Sequence, residues 1–115
     1  MKIKKSVLVE ALKVLGKVVS QSSPVEALRS VRFLGVGEQI WLAATDGVEA
    51  VVLEVIGDAE GVGDFAVEYK VLREQIRSTR GNVVVVAGER IDWPEAEVVP
   101  DDAVTVELPQ DFGKL

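Results

Sequence analysis

The chain has 115 residues, enough for one compact domain with no length left for a second. Its formal charge is −6, from 13 basic and 19 acidic residues, which argues against a protein that adheres to nucleic acid over its whole surface. There is no cysteine and no histidine. This excludes disulfides, imidazole-based acid–base catalysis and most metal sites.

The basic N-terminus is followed by an apolar stretch that charged residues interrupt. Glu10, Lys13 and Lys17 prevent this stretch from serving as the core of an export signal. No other stretch is long enough to cross a bilayer. We therefore expect a cytoplasmic protein with no membrane partner.

The first half of the chain predicts a strand, a helix and three further strands. The first strand covers Lys2–Lys4, and Ser6 is a candidate N-cap for the helix. Apolar residues recur at helical spacing from Val7 to Val19, and the polar run 20–24 ends the helix. The next three strands are predicted at Leu28–Val36, Gln39–Ala44 and Val48–Ile56.

Short turns separate these strands. Gly37-Glu38 lies between the first two, and Asp46-Gly47 between the second two. Asp-Gly between apolar runs predicts a two-residue hairpin turn with positive φ at both positions. The segment Gly57–Asp64 is rich in glycine and acidic residues, and we expect a loop without secondary structure.

The same order then begins again, with helices that start about sixty residues apart. The predicted elements are a strand at Phe65–Glu68, a helix at Tyr69–Thr79 and strands at Asn82–Ala87, Arg90–Trp93 and Ala103–Leu108. The sequence therefore predicts a single α+β domain over 1–115, with β-α-β-β-β repeated twice. Two helices would pack on one face of a mainly antiparallel sheet.

Charge is divided unevenly between helices and strands. Residues 5–20 and 69–80 contain only two acidic residues, Glu10 and Glu74, so these segments carry +5 and the rest of the chain −11. Their seven basic residues are Lys5, Lys13, Lys17, Lys70, Arg73, Arg77 and Arg80.

The basic residues of the second helix fall within about 80° of one another on a helical wheel. Like charges at this spacing cost a few tenths of a kcal/mol per pair, so a polyanion that offsets this cost is expected. The alternative is that lysine and arginine merely occupy solvated helix faces. The charge pattern alone leaves both interpretations open.

Four segments resemble a known family. Leu42–Gly47 contains an Ala-Thr-Asp-Gly turn, Leu34–Leu42 fits the hairpin before it, and Val67–Leu72 keeps the Val, Lys and Leu of a Val-Pro-Ala-Lys-x-Leu motif without its proline. Leu108–Phe112 is similar to a segment that leads into a following domain. These segments resemble the beta subunit of bacterial DNA polymerase III, the sliding clamp, and its central domain in particular.

The resemblance implies a DNA-clamp-like domain whose two helices line the inner wall of a ring. The DNA-facing residues would be Lys13, Lys17, Lys70, Arg73, Arg77 and Arg80. The partners it implies are double-stranded DNA bound without sequence preference, DNA polymerase or clamp-loader subunits, and other clamp domains or copies of this chain.

The resemblance also implies a pocket for partner peptides, bordered by Thr45, Gly47, Val48, Glu49 and Ala50. The family has His-Arg-Leu after the glycine, whereas this chain has Val-Glu-Ala, and a following domain contributes part of that pocket. A plain hairpin turn is the alternative.

A family subunit has three such domains, so this chain is either a fragment of a longer clamp or a one-domain relative that assembles with other copies. Ring closure would need edge strands, for which Val48–Ile56 and Ala103–Leu108 are candidates. Trp41 and Trp93 are expected to pack rather than to stack bases.

No enzymatic function, cofactor or metal is expected. Gly61-Val62-Gly63 lacks the Lys-Ser/Thr ending of a phosphate-binding loop, and Asp46 fits a turn for backbone reasons. The leading hypothesis is a sliding clamp (processivity factor) domain that encircles duplex DNA and tethers replication or repair proteins. The alternative is a clamp-fold interaction module or adaptor that does not encircle DNA.

Overall fold

The computed structural model of the chain describes residues 1–90 and the short strand Val104–Thr105. The elements are β1 (Lys2–Lys4), α1 (Lys5–Leu15), a 3-10 helix (Glu26–Arg29), β2 (Ser30–Val36), β3 (Gln39–Thr45), β4 (Ala50–Ile56), β5 (Val62–Glu68), α2 (Tyr69–Ser78), β6 (Val83–Val85) and β7 (Val104–Thr105). The predicted α+β class is confirmed.

The strands form two sheets. The larger has the order β5-β2-β3-β4-β7, in which the four long strands are antiparallel and β7 runs parallel to β4. The smaller is the antiparallel pair β1-β6. The sheet structure is therefore mainly antiparallel, as predicted, but it is divided in two.

Both helices pack on the same apolar side of the larger sheet. Alternate residues of its strands, such as Phe33 and Leu42, are fully buried. They form one core cluster with Leu8 and Leu15 of α1 and Leu72 of α2. The predicted packing of two helices on one sheet face is therefore confirmed.

The start of α1 differs from the prediction. The helix begins at Lys5 after the N-cap Lys4, without a side-chain capping bond, so the assignment of Ser6 as N-cap was wrong. Strand β1 runs directly into the helix, and the backbone N–H of Lys5 donates to the Asn82 carbonyl instead (2.8 Å). A distant segment satisfies the helix start, which local sequence cannot reveal.

Two further boundaries also differ. Helix α1 ends at Leu15 rather than Val19, although Val19 stays buried in the core. Strand β2 begins at Ser30 rather than Leu28, because Glu26–Arg29 form a 3-10 turn that buries Ala27.

The last three residues of the predicted loop Gly57–Asp64 belong to β5, so the prediction of a loop was wrong there. This strand pairs with β2 along its whole length, from Val36 opposite Val62 to Ser30 opposite Glu68. Gly35 and Gly63 face each other in this pair, and a Cβ on either would lie within 2.8 Å of the Met1 side chain. The glycines thus leave room for a core side chain.

Parts of the second predicted repeat lie outside the described residues. These are Trp93 with most of the strand Arg90–Trp93, the rest of Ala103–Leu108, and the motif Leu108–Phe112. Val104 and Thr105 pair with Val51 and Val52. Strand β4 is therefore not a free edge at these residues, which corrects the expectation for Val48–Ile56.

The sequence analysis missed an ion pair that joins β2 and β5. The Arg32 guanidinium donates through Nε to Asp64 Oδ1 (3.1 Å) and through Nη2 to Oδ2 (3.0 Å), and both side chains are at least partly buried. Arg90 lies 3.9 Å from the same carboxylate. The hydrogen bond from Arg32 holds the pKa of Asp64 below its ordinary value of 3.8, against the opposing effect of burial.

Asp64→Asn should therefore make stability less dependent on acid pH. A carboxylate whose pKa is lower in the folded state stabilises the fold above its unfolded pKa. That contribution is lost as pH falls through the folded pKa. Urea unfolding at pH 6 should show a loss of roughly 1–2 kcal/mol for D64N, allowing for solvent screening.

The deficit of D64N should shrink below pH 3. Glu54→Gln removes an exposed carboxylate from the same sheet and is the matched control. An equal deficit at both pH values would show that the Arg32–Asp64 pair does not stabilise the fold through its charge.

Candidate nucleic-acid interface

Helices α1 and α2 lie side by side and antiparallel. The Lys5 ammonium, at the start of α1, donates to the carbonyl of Thr79 just past the end of α2 (2.7 Å). At the other end, the Tyr69 hydroxyl at the start of α2 donates to the Leu12 carbonyl near the end of α1 (3.4 Å). A cation beside the carbonyl end of a helix is also favourable to the helix dipole.

Gly16 permits the close approach of the two helices. A Cβ at this position would lie 2.5 Å from the Tyr69 hydroxyl oxygen and 2.9 Å from the Leu12 carbonyl oxygen. Tyr69 is itself 8% exposed, so its ring cannot swing out without losing core contacts. Because position 16 has no side chain, the two helices can pack closely at this point.

Burial orients the two helices in the same way. Leu8 and Leu12 of α1 and Leu72 and Ile76 of α2 point into the core. All of the predicted DNA-facing side chains are exposed, namely Lys13, Lys17, Lys70, Arg73, Arg77 and Arg80. Lys13, Lys70, Arg73 and Arg77 lie on the exposed sides of α1 and α2, and Lys17 and Arg80 lie two residues beyond the helix ends. We call these six residues the basic helical surface.

Arg73 lies on the flank of α2 that is next to α1. The Arg73 guanidinium lies over the Tyr69 ring, 5.7 Å from its centroid, and the same ring contacts α1. Lys17 directly follows Gly16, the residue packed against that ring. Gln75, on the opposite flank of α2, donates instead to the Val85 carbonyl of β6 (2.7 Å).

The basic helical surface contains both paired and unpaired cations. Lys13 Nζ lies 3.1 Å from Glu10 Oε1, and Arg77 Nη1 lies 3.3 Å from Glu74 Oε2. Within residues 1–90, no acidic side chain is within ion-pair distance of the others, which are Lys17, Lys70, Arg73 and Arg80. Most of the positive charge of this surface is therefore open to an external anion.

Lys5 is engaged between the two helices. It was counted with the basic residues of the helical segments, but its ammonium is half-buried and engaged with Thr79. It joins the two helices and is not part of the surface that would meet a ligand.

Apart from Glu10 and Glu74, the exposed acidic residues that the structure describes lie outside α1 and α2, on the strands and their connections. They include Glu38, Asp46, Glu49, Glu54, Asp58 and Glu60. Within the described residues, most exposed carboxylates therefore lie outside the two helices.

The turn after β3 is longer than predicted. Thr45 pairs with Ala50, so the loop has four residues, Asp46–Glu49, and only Gly47 has a positive φ, of 93°. The Asp46 carboxylate explains this, because its Oδ1 accepts the backbone N–H groups of Val48 (2.8 Å) and Glu49 (2.7 Å). These bonds, that from Glu49 first, lower the pKa of Asp46 below 3.8.

The five predicted pocket residues are not equally accessible. Thr45 and Ala50 are buried, and the Thr45 hydroxyl donates to the Glu49 carbonyl (2.8 Å) and accepts the Gly47 N–H (3.0 Å). Gly47, Val48 and Glu49 are exposed, and Val48 is 82% exposed. The loop therefore offers a partner its tip rather than the Thr45 hydroxyl.

The residues that the structure describes form neither a metal site nor a membrane-spanning helix. Over that part of the chain, no three acidic side chains converge as metal ligands would. Over the same residues, no helix has the length and apolar character required to span a bilayer.

Solved structures of similar fold are bacterial sliding clamps. The DNA polymerase III subunit beta sliding clamp from Bartonella birtlesii matches with a TM-score of 0.65 and 21% identity, covering 76% of this chain and 26% of that one. Pol III beta from Caulobacter crescentus matches with a TM-score of 0.63 and 20% identity, over 70% and 22%. The Helicobacter pylori beta clamp bound to a DNA ligase peptide matches with a TM-score of 0.64 and 14% identity, over 76% and 25%.

The chain thus has the fold of a sliding-clamp domain and spans about a quarter of the length of these clamps. No protein-family model and no curated protein sequence matches it. At these identities the likeness establishes the fold, and the local chemistry must support any function.

Substitution of Gly16 tests the helix contact. Gly16→Ala places a methyl group against Tyr69 and should lower the free energy of unfolding by roughly 1–3 kcal/mol, as overpacking does. Gly81→Ala is the matched control, because nothing lies within 4 Å of the added Cβ and its φ is not positive. Urea unfolding should leave G81A near wild type, and equal stability of the two variants would contradict the packing role of Gly16.

Proposed function

We propose that this chain is a DNA sliding-clamp module that holds duplex DNA against the basic helical surface and encircles it together with further clamp-like domains. One observation carries the proposal. Six exposed cations lie on, or two residues beyond, two adjacent, antiparallel helices, whereas most exposed charged residues of the described strands and turns are acidic. Phosphates would be attracted on one side and repelled elsewhere.

The geometry suits contact with a phosphate backbone rather than with base edges. The cations are on long side chains along two rigid helices, and neither helix presents a row of amide side chains that could read bases. Ion contacts to phosphates have similar energy at every register of the duplex. Such contacts allow a ring to move along DNA while it remains bound.

Encirclement would need more than one such unit. The matching part of this chain covers about a quarter of the clamps of similar fold, so a ring would be built from several copies or from this domain joined to others. We propose that residues 1–115 form one such domain, corresponding to the central domain of a clamp. The mass of the assembly in solution would give the number of units.

A clamp also tethers other proteins. The Helicobacter pylori clamp of similar fold was solved with a DNA ligase peptide. We propose that short peptides of polymerase, clamp-loader or repair proteins bind near the Asp46–Glu49 loop of this chain. Val48 would provide the apolar contact there, since Thr45 and Ala50 are buried.

The second candidate is an adaptor that keeps the clamp fold without encircling DNA. The net charge of −6 favours it. It predicts a monomer at high concentration, whereas the clamp proposal predicts a closed oligomer. Light scattering with negative-stain imaging distinguishes them, because only a ring shows a central hole wide enough for duplex DNA.

Neutralising two unpaired cations should weaken DNA binding without affecting the fold. Lys70→Gln with Arg80→Gln should lower affinity for a duplex on the order of tenfold near 0.1 M salt. The slope of log K against log salt should also fall by about 0.9 for each phosphate that is no longer neutralised. Lys2→Gln with Arg90→Gln removes the same charge away from the helices, and equal reductions in affinity for both pairs would contradict a helical DNA surface.

Topology of the DNA should determine how long the protein stays bound. A ring loaded on nicked circular plasmid should remain through gel filtration at moderate salt. It should dissociate after a restriction enzyme linearises the plasmid, since only free ends release an encircling protein. The uncut circle is the control, and equal dissociation from circular and linear DNA would contradict encirclement.

A further inference from the structure

The same acidic–basic pair occurs at the same place in both helices. Helices α1 and α2 start 64 residues apart, at Lys5 and Tyr69, so Glu10 and Glu74 are each the sixth residue of their helix. Each contacts the ninth residue, Lys13 at 3.1 Å or Arg77 at 3.3 Å. The repeated unit of the fold thus repeats this ion pair on the basic helical surface.

These ion pairs contribute little to the stability of the fold. All four side chains are at least 50% exposed, and exposed pairs of this kind contribute about 0.2–1 kcal/mol. The glutamates are, however, the only acidic residues of the two helices. Both lie beside the cations that would meet phosphate, so an effect on anion binding is more consequential than an effect on helix stability.

We propose that Glu10 and Glu74 act as attenuators of DNA binding, each occupying the cation three residues ahead of it. The inference rests on the proposed function. A phosphate that approaches Lys13 or Arg77 must displace a carboxylate already in contact with the cation, and the displaced carboxylate then lies close to the phosphate. The unpaired cations would attract DNA phosphates at all times, and the paired cations would add little to that attraction.

Weak contact suits a protein that must move along DNA. A cation paired with an internal carboxylate has fewer mobile counterions to release when phosphate arrives, so it adds little to the salt-dependent part of the affinity. The two glutamates would therefore lower the affinity of the basic helical surface for duplex DNA. Their removal should strengthen binding and steepen its dependence on salt.

The test compares two charge-matched double variants in duplex binding followed by fluorescence anisotropy. Glu10→Gln with Glu74→Gln removes both attenuators, whereas Glu38→Gln with Glu54→Gln removes two exposed carboxylates from the strands and their turns. Releasing an exposed pair should tighten binding roughly two- to fivefold for each glutamate. The control pair should change affinity by less than about twofold, because a Debye length of about 8 Å screens distant charge.

A double-mutant cycle separates pairing from general repulsion. Glu10→Gln should tighten binding when Lys13 is present and have little effect in a Lys13→Gln background, and the same holds for Glu74→Gln with Arg77→Gln. A gain that persists in the Lys13→Gln and Arg77→Gln backgrounds would overturn the inference. Equal affinities of the two double variants would also overturn it, while wild-type binding to duplex DNA would leave the proposed function intact. Failure of wild type and every variant to bind duplex DNA at low salt would overturn the proposed function itself.

Discussion

The contact between α1 and α2 determines where the rest of the chain can place its charge. Lys5 joins the start of one helix to the end of the other, and Tyr69 closes the opposite end against Leu12 and Gly16. Because both ends of the helix pair are held by these contacts, the apolar side of each helix packs into the core. The polar sides of both helices then remain exposed, and Lys13, Lys70, Arg73 and Arg77 lie on them.

On the proposed function, this arrangement would allow an acidic protein to hold a polyanion. Cations collect on the helices, and exposed carboxylates collect on the strands and their turns. Glu10 and Glu74 are the exception, since they lie among the cations and pair with two of them. On the inference above, the two pairs would moderate the attraction of this surface for DNA, which suits an interaction that must persist without immobilising either partner.

Periodicity was sufficient to predict the elements that local contacts determine. Helix α2 was predicted at Tyr69–Thr79 and found at Tyr69–Ser78, because its three buried residues recur at helical spacing. The failures have distant causes. Gly35 and Gly63 serve a core side chain from the N-terminus, and Asn82 rather than Ser6 satisfies the start of α1. Side-chain bonds also lengthened the Asp46–Glu49 turn, and sequence analysis could not foresee that Lys5 would be engaged between helices.

The most direct test of the account is an NMR titration of the isotopically labelled chain with a short DNA duplex at low salt. The account predicts that amide shifts concentrate on the exposed sides of α1 and α2, around Lys13, Lys17, Lys70 and Arg73, and fade as salt is added. It also predicts little change along the exposed side of β4. Shifts that centre on the strands, or that spread evenly over both surfaces, would contradict the central claim that the helix pair forms the DNA-binding side of this fold.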